Sequence, residues 1–204
     1  MTRIADAGGP AKHLKRLLLG AALGLLLAYP AQAQRSGFGV PLTKVPRILI
    51  SVGQSGDARV PLVHAAVAHW NGILAGIGSG FRLGPVSLGG GASGQPGEIV
   101  VVLSDGEFVS HVNRLPGGQG AVVMIRNTNS LPTSLPNVMR NVIAHELGHA
   151  IGLPHNSNPA LLMCGRPAPC RPALFSSQTA HYFPLSAAER SKLLAMYPAG
   201  RRGQ

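Results

Sequence analysis

At 204 residues, with 45% hydrophobic content and a formal net charge of +11 at pH 7, the chain has the length of one ordinary domain with a sizeable core. Its basic residues are scattered and aromatics make up only 4%, which argues against a specific nucleic-acid groove, where clustered charge is combined with stacking rings. The positive charge suits contact with an anionic surface or polymer, or with acidic substrates.

Lys12, Lys15 and Arg16 precede an almost wholly apolar run from Leu17 to Ala28, and Ala31-Gln32-Ala33 follows as a small-x-small cleavage site. That order predicts a signal peptide over residues 1–33, cut after Ala33, and a secreted or periplasmic product. The run of 12 residues falls short of the ~20 that a membrane-spanning helix needs, and no later stretch reaches that length, so no transmembrane segment is expected in the mature chain. Residues 34–204 keep 14 of the 18 Lys+Arg and six of the seven Asp+Glu, a formal charge of about +8.

Residues 34–45 lack periodicity and read as an N-terminal strap, with a single domain expected over 46–204. Pro46 to Gly53 reads as a first strand. Val60-Pro61 opens a helix in which Val63, Val67, Trp70, Leu74 and Ile77 recur at spacings of three and four, ended by Gly76, Gly78 and Gly80. The stretch from Leu88 to Gly97 is a loop, and no Gly-Lys-Ser/Thr follows to make it a phosphate cradle. Glu98 to Leu103 and Ala121 to Arg126 read as buried strands, with a surface loop at Leu115 to Gly120 between them. A helix follows from Leu135-Pro136 to Gly152, with Val138, Val142, Leu147 and Ile151 on its apolar stripe. Ser186 and Glu189 form a capping box before the last helix, which carries Leu193, Leu194 and Tyr197 and stops at Pro198. This order predicts an α+β domain with one sheet and few helices.

Cys164 and Cys170 form an even pair in a chain expected to be exported, which reads as a disulfide. Closing so short a loop contributes about 2 kcal/mol in the chain-entropy model. Two free thiols, or a cysteine occupying a metal, are the alternatives.

The chemistry lies in His145-Glu146-Leu147-Gly148-His149. Residues four apart share a helical face with Cβ atoms ~5–6 Å apart, so both imidazoles can reach one zinc ion. Glu146, one step round the helix, can flank the metal as a base for its water without ligating it. Gly152 can end the helix in the left-handed conformation. Pro154 forbids continuation, and His155 can swing back as a third ligand. Three protein ligands leave one position for water, the mark of a catalytic site.

The run His145 to His155, HELGHAIGLPH, resembles the metzincin clan of zinc endopeptidases. Met163, eight residues past His155, stands where that clan has a Met-containing turn. The stretch from Asn156 to Ala160 and the closing LSAAERSKLLAMYP are similar to the matrixin (peptidase M10 type) branch, although Asn156 occupies a position where matrixins commonly carry Ser. The resemblance covers roughly Pro46 to Tyr197. It implies a twisted mixed sheet, three main helices and an active-site helix below a substrate cleft. It also implies an edge strand, taken as Ala121 to Arg126, that pairs with substrate by β-augmentation.

One catalytic zinc is therefore expected. Calcium is not, because the mature acids are few and dispersed. His64, His69, His111 and His181 form no ligand cluster in sequence and read as surface residues, and Tyr182 reads as wall or core. The expected activity is that of a monomeric zinc endopeptidase acting on a protein or peptide substrate, with Glu146 as general base. The alternatives are a zinc amidase acting on cell-wall peptide cross-links and a non-catalytic zinc-binding or adhesion module.

Overall fold

A computed structural model describes residues 39–89, 91, 93–165 and 180–200. Among them are five strands, β1 (Arg47–Val52), β2 (Val86–Leu88), β3 (Glu98–Leu103), β4 (His111–Arg114) and β5 (Gly120–Ile125). Three helices accompany them, α1 (Val60–Gly76), α2 (Pro136–Ala150) and α3 (Ala187–Met196). The strands form one mixed sheet in the order β2-β1-β3-β5-β4, parallel throughout except for the antiparallel β4–β5 pair. This is an α+β architecture.

The most apolar segment takes the middle of the sheet. Because side chains alternate across a strand, register rows form: Ile48, Ile99 and Ala121 in one, Ile50, Val101 and Val123 in the next. All six are fully buried. They share a core with Val63, Val67, Trp70 and Leu74 of α1 and with Val138, Ile143 and Leu147 of α2. α1 lies on α2, and α2 lies on β4 and β5. The Trp70 indole donates to the Ala144 carbonyl at 2.9 Å, which removes the cost of burying its N–H.

Two strands escaped the sequence pattern, and one of them corrects an expectation. β5 is not an edge strand: it is paired by β3 on one side and β4 on the other. The outermost strand on that side is β4, whose sequence HVNR has no apolar alternation to reveal it. β2 is only three residues long, too short to carry a period. The loop between β4 and β5 is also less superficial than expected. It contains one 3-10 turn, Pro116–Gly118, with Gly118 buried and its carbonyl accepting from Thr43 N at 3.0 Å.

The described part of the strap, residues 39–45, is bound to the domain at several points. Gly39 N donates to Gly152 O at 2.9 Å, Arg114 Nη2 to Val40 O at 2.7 Å, and Leu42 N to the Tyr197 hydroxyl at 2.8 Å. That hydroxyl in turn donates to Ile151 O at 2.9 Å, and the Tyr197 ring stacks on Phe81. The signal-peptide reading over residues 1–33 lies outside the described residues. No described helix is long and apolar enough to cross a membrane.

Arg59, just before α1, had no sequence signal either. It is buried, and its guanidinium donates to Ser104 O at 2.7 Å and Arg126 O at 2.8 Å, joining the ends of β3 and β5. Asp57 accompanies it. Burial opposes charge on Asp57, but its side-chain and backbone hydrogen bonds to Arg59 and the Arg59 charge outweigh that and hold the carboxyl below its ordinary range.

Tyr197→Phe leaves the Leu42 N–H and the Ile151 carbonyl without this buried partner. It is expected to cost about 1–3 kcal/mol of unfolding free energy, read from urea melts; an unchanged midpoint would refute the role given to the hydroxyl.

Candidate metal centre

The centre is built on the second half of α2 and the turn that follows it. Helical spacing puts His145 and His149 on one face, and the rings pack edge to face with centroids 4.6 Å apart. The helix ends in a Schellman arrangement: Gly152 N donates to His149 O and Leu153 N to Gly148 O, both at 2.9 Å. Gly152 has φ +103°, as this motif asks of the residue beyond the cap. The reversed chain brings His155 back. Its Nε2 lies 2.9 Å from that of His149 and 3.2 Å from that of His145. His145, His149 and His155 thus form a group able to hold a metal ion.

Their tautomers follow from hydrogen bonding. His145 Nδ1 lies 2.7 Å from Leu162 O, and His149 Nδ1 lies 2.7 Å from Leu153 O. A carbonyl can only accept, so each Nδ1 carries the proton and each Nε2 presents a lone pair toward the other rings. One proton on His155 Nε2 can satisfy only one of those two neighbours, whereas a cation satisfies all three. Carbonyl-bound Nδ1 atoms of this kind are the usual outer support of metal-ligating imidazoles. Burial, the His145 charge and the His155 charge together lower the His149 pKa to about 3 against one opposing hydrogen bond to Leu153, and burial lowers that of His155. Both rings are therefore neutral at pH 7, the form that ligates. The donor set fits zinc.

Glu146 shares the helix and is buried, and its Oε2 has no hydrogen-bond partner among the described residues. Burial pushes its pKa up to about 8. A cation nearby acts in the opposite direction and favours the carboxylate.

Met163 is fully buried and packs on α2 at Gly148. A Cβ added at Gly148 would stand 2.5 Å from the Met163 sulfur and 2.9 Å from Trp70 Cζ2. A side chain at position 148 would have to displace Met163 or Trp70, a constraint that the spacing of the histidines does not convey. The turn holding Met163 is fastened by Leu162 N to Pro184 O at 2.9 Å, and by Asn156 N to Met163 O at 2.8 Å. Cys164 is buried and bonds to no other cysteine among the described residues. Cys170, and with it the expected disulfide, lies outside them.

Two asparagines of α2 were also missed. Asn141 Nδ2 donates to His181 O at 2.8 Å, Asn141 Oδ1 accepts from Phe183 N at 2.9 Å, and Asn137 Oδ1 accepts from His181 N at 3.1 Å. Together they hold residues 181–183 against the helix that carries the ligands. Two Asn four residues apart, in the same helical row as His145 and His149, were the available signal.

None of the remaining described histidines joins the metal group. His64 is exposed as expected, but His69, His111 and His181 are half-buried. His69 stacks on Tyr182 with ring centroids 3.9 Å apart, and Tyr182 packs against the core. Compared with protein-family models the chain matches none, and no curated protein matches it either.

The raised Glu146 pKa sets a pH dependence in the metal-free chain. Between the ordinary 4.5 and about 8, the folded state keeps a proton that the unfolded state has released. The associated stability is present below 4.5 and is lost as pH rises through 8. His149 acts the other way: stability falls as pH drops from 6.5 toward 3, because the unfolded chain binds the extra proton. Relative to Glu146→Gln, the metal-free wild type is expected to lose stability between about pH 5 and about pH 8. Denaturant melts at both pH values check this, and parallel behaviour of the two proteins would contradict it.

Proposed function

We propose that this protein is a zinc-dependent endopeptidase of metzincin type, matrixin-like, that hydrolyses peptide bonds. The observation that carries the reading is the convergence of three imidazole Nε2 atoms, two with Nδ1 committed to backbone carbonyls, beside a buried carboxylate on the same helix. A purely structural site closes its fourth position with a protein ligand, and the group formed among the described residues has three members.

His145, His149 and His155 would hold the ion. When bound, zinc supplies Lewis acidity, which acidifies water and polarises a carbonyl. Glu146 accepts the proton of the attacking water and passes it to the leaving amine, serving first as base and then as acid. Burial supports both halves of that shuttle: an elevated intrinsic proton affinity, opposed by the cation, places the carboxyl where it can take and return a proton near neutral pH. The Leu162 and Leu153 carbonyls keep the two helical rings in the ligating tautomer. Substrate would enter as an extended strand along the outer edge of β4, where its backbone continues the antiparallel pairing that β4 makes with β5.

Purified protein is expected to contain about one zinc per chain and to cleave a peptide library in a chelator-sensitive way. Glu146→Ala should keep the zinc and lower cleavage by about 10²–10⁴-fold, the usual worth of a general acid–base. Unchanged cleavage by the variant would remove Glu146 from the mechanism. Digestion of peptidoglycan cross-links in place of protein would move the substrate to the cell wall.

A further inference from the structure

His155 differs from the other two members of the triad. His145 and His149 are buried, and each ring is oriented by a carbonyl at Nδ1. His155 is exposed, and among the described residues its Nδ1 has no matching bond. It also sits on a reversed loop, not on the helix, so regular secondary structure does not fix it.

What surrounds it is a set of contacts from the next residue. Asn156 forms a parallel bridge with Cys164, and Gly165 N donates to Asn156 O at 3.1 Å. Gly165 lies so close that an added Cβ would stand 3.0 Å from His155 Cγ. The Asn156 side chain is held at both ends. Its Oδ1 accepts from Asn158 N at 2.8 Å, and its Nδ2 donates to Glu189 Oε1 at 2.6 Å. These two bonds together define which end of the amide is nitrogen. Glu189 is buried, and its other oxygen accepts from Ser186 N at 2.7 Å and from Ser186 Oγ at 2.9 Å. One carboxylate therefore completes the capping box of α3 with Oε2 and grips the loop of the third ligand with Oε1.

We infer that Asn156 and Glu189 form a positioning pair that presents His155 to the metal, replacing the carbonyl support that the other two ligands receive. Glu189 is then more than a helix cap, and the last helix is coupled to metal affinity through one hydrogen bond. The inference rests on the reading of the triad as a zinc site.

The pair permits a swap. N156D sets two carboxylates against each other. E189Q gives position 189 only one accepting atom for the three donors Ser186 N, Ser186 Oγ and Asn156 Nδ2, so either the cap or the grip is lost. In N156D/E189Q the aspartate accepts from the glutamine amide while the glutamine oxygen still serves Ser186 N, and the link is restored with its polarity reversed. Zinc affinity by chelator competition and the d–d spectrum of the cobalt-loaded protein are the readouts, with apo-protein Tm beside them. N156D is expected to weaken zinc binding by about 10–100-fold, as loss of outer-shell support does elsewhere, and to alter the cobalt bands. The double variant should return both to wild type. Ser186→Ala should lower Tm through the lost cap while leaving affinity and spectrum unchanged. N156D with wild-type affinity and spectrum, or a double variant no better than N156D, overturns the inference. Wild-type protein that takes up neither zinc nor cobalt overturns the metal reading and the inference with it.

Discussion

The arrangement depends on the way α2 ends. Once Leu153 N bonds to Gly148 O and Gly152 takes its positive φ, the backbone must turn back alongside its own last turn. Two consequences follow from the same reversal. The Leu153 carbonyl arrives at His149 Nδ1, which orients a helical ligand, and His155 arrives opposite the ring it must complement. A helix that ran one turn further would lose both. The buried Ile151 carbonyl accepts from the Tyr197 hydroxyl, so the turn is tied into the core by the residue that follows the last helix.

Sequence spacing carried the local parts of this arrangement. Residues His145 to His155 are read from the chain because helix period and a C-terminal glycine act over neighbouring positions. The capping box of Ser186 and Glu189 was legible for the same reason, and it is present as expected. The strands β1, β3 and β5 were legible because apolar residues are concentrated in each of them, and alternate members such as Ile48, Ile50, Ile99 and Val101 enter the core. β4 was not, since a polar edge strand earns its place by pairing and not by hydrophobicity. That omission left β5 as the expected edge strand, a position that β4 holds.

The less legible residues act at a distance. Arg59 meets carbonyls 45 and 67 positions away, and Asn141 meets residues 40 and 42 positions on. Glu189 was assigned to its cap, yet its second oxygen works 33 residues back in the chain. Gly148 drew no separate reading from the sequence, and only the packing of Met163 and Trp70 shows that a side chain there would have to displace one of them. In each case the residue type hints at a polar or steric need, but the partner is chosen by the folded topology.

The Tyr197 hydroxyl joins Leu42, 155 residues away, to Ile151, 46 residues away. Loop closure over such separations costs entropy that only a nearly complete fold returns. The three imidazoles, by contrast, lie within eleven positions of one another. The ligand set is thus of low contact order and its scaffold of high contact order. A cluster of three imidazoles and a rigid, oriented centre are consequently two separate achievements of folding, the second waiting on the arrival of both ends of the domain at one phenol.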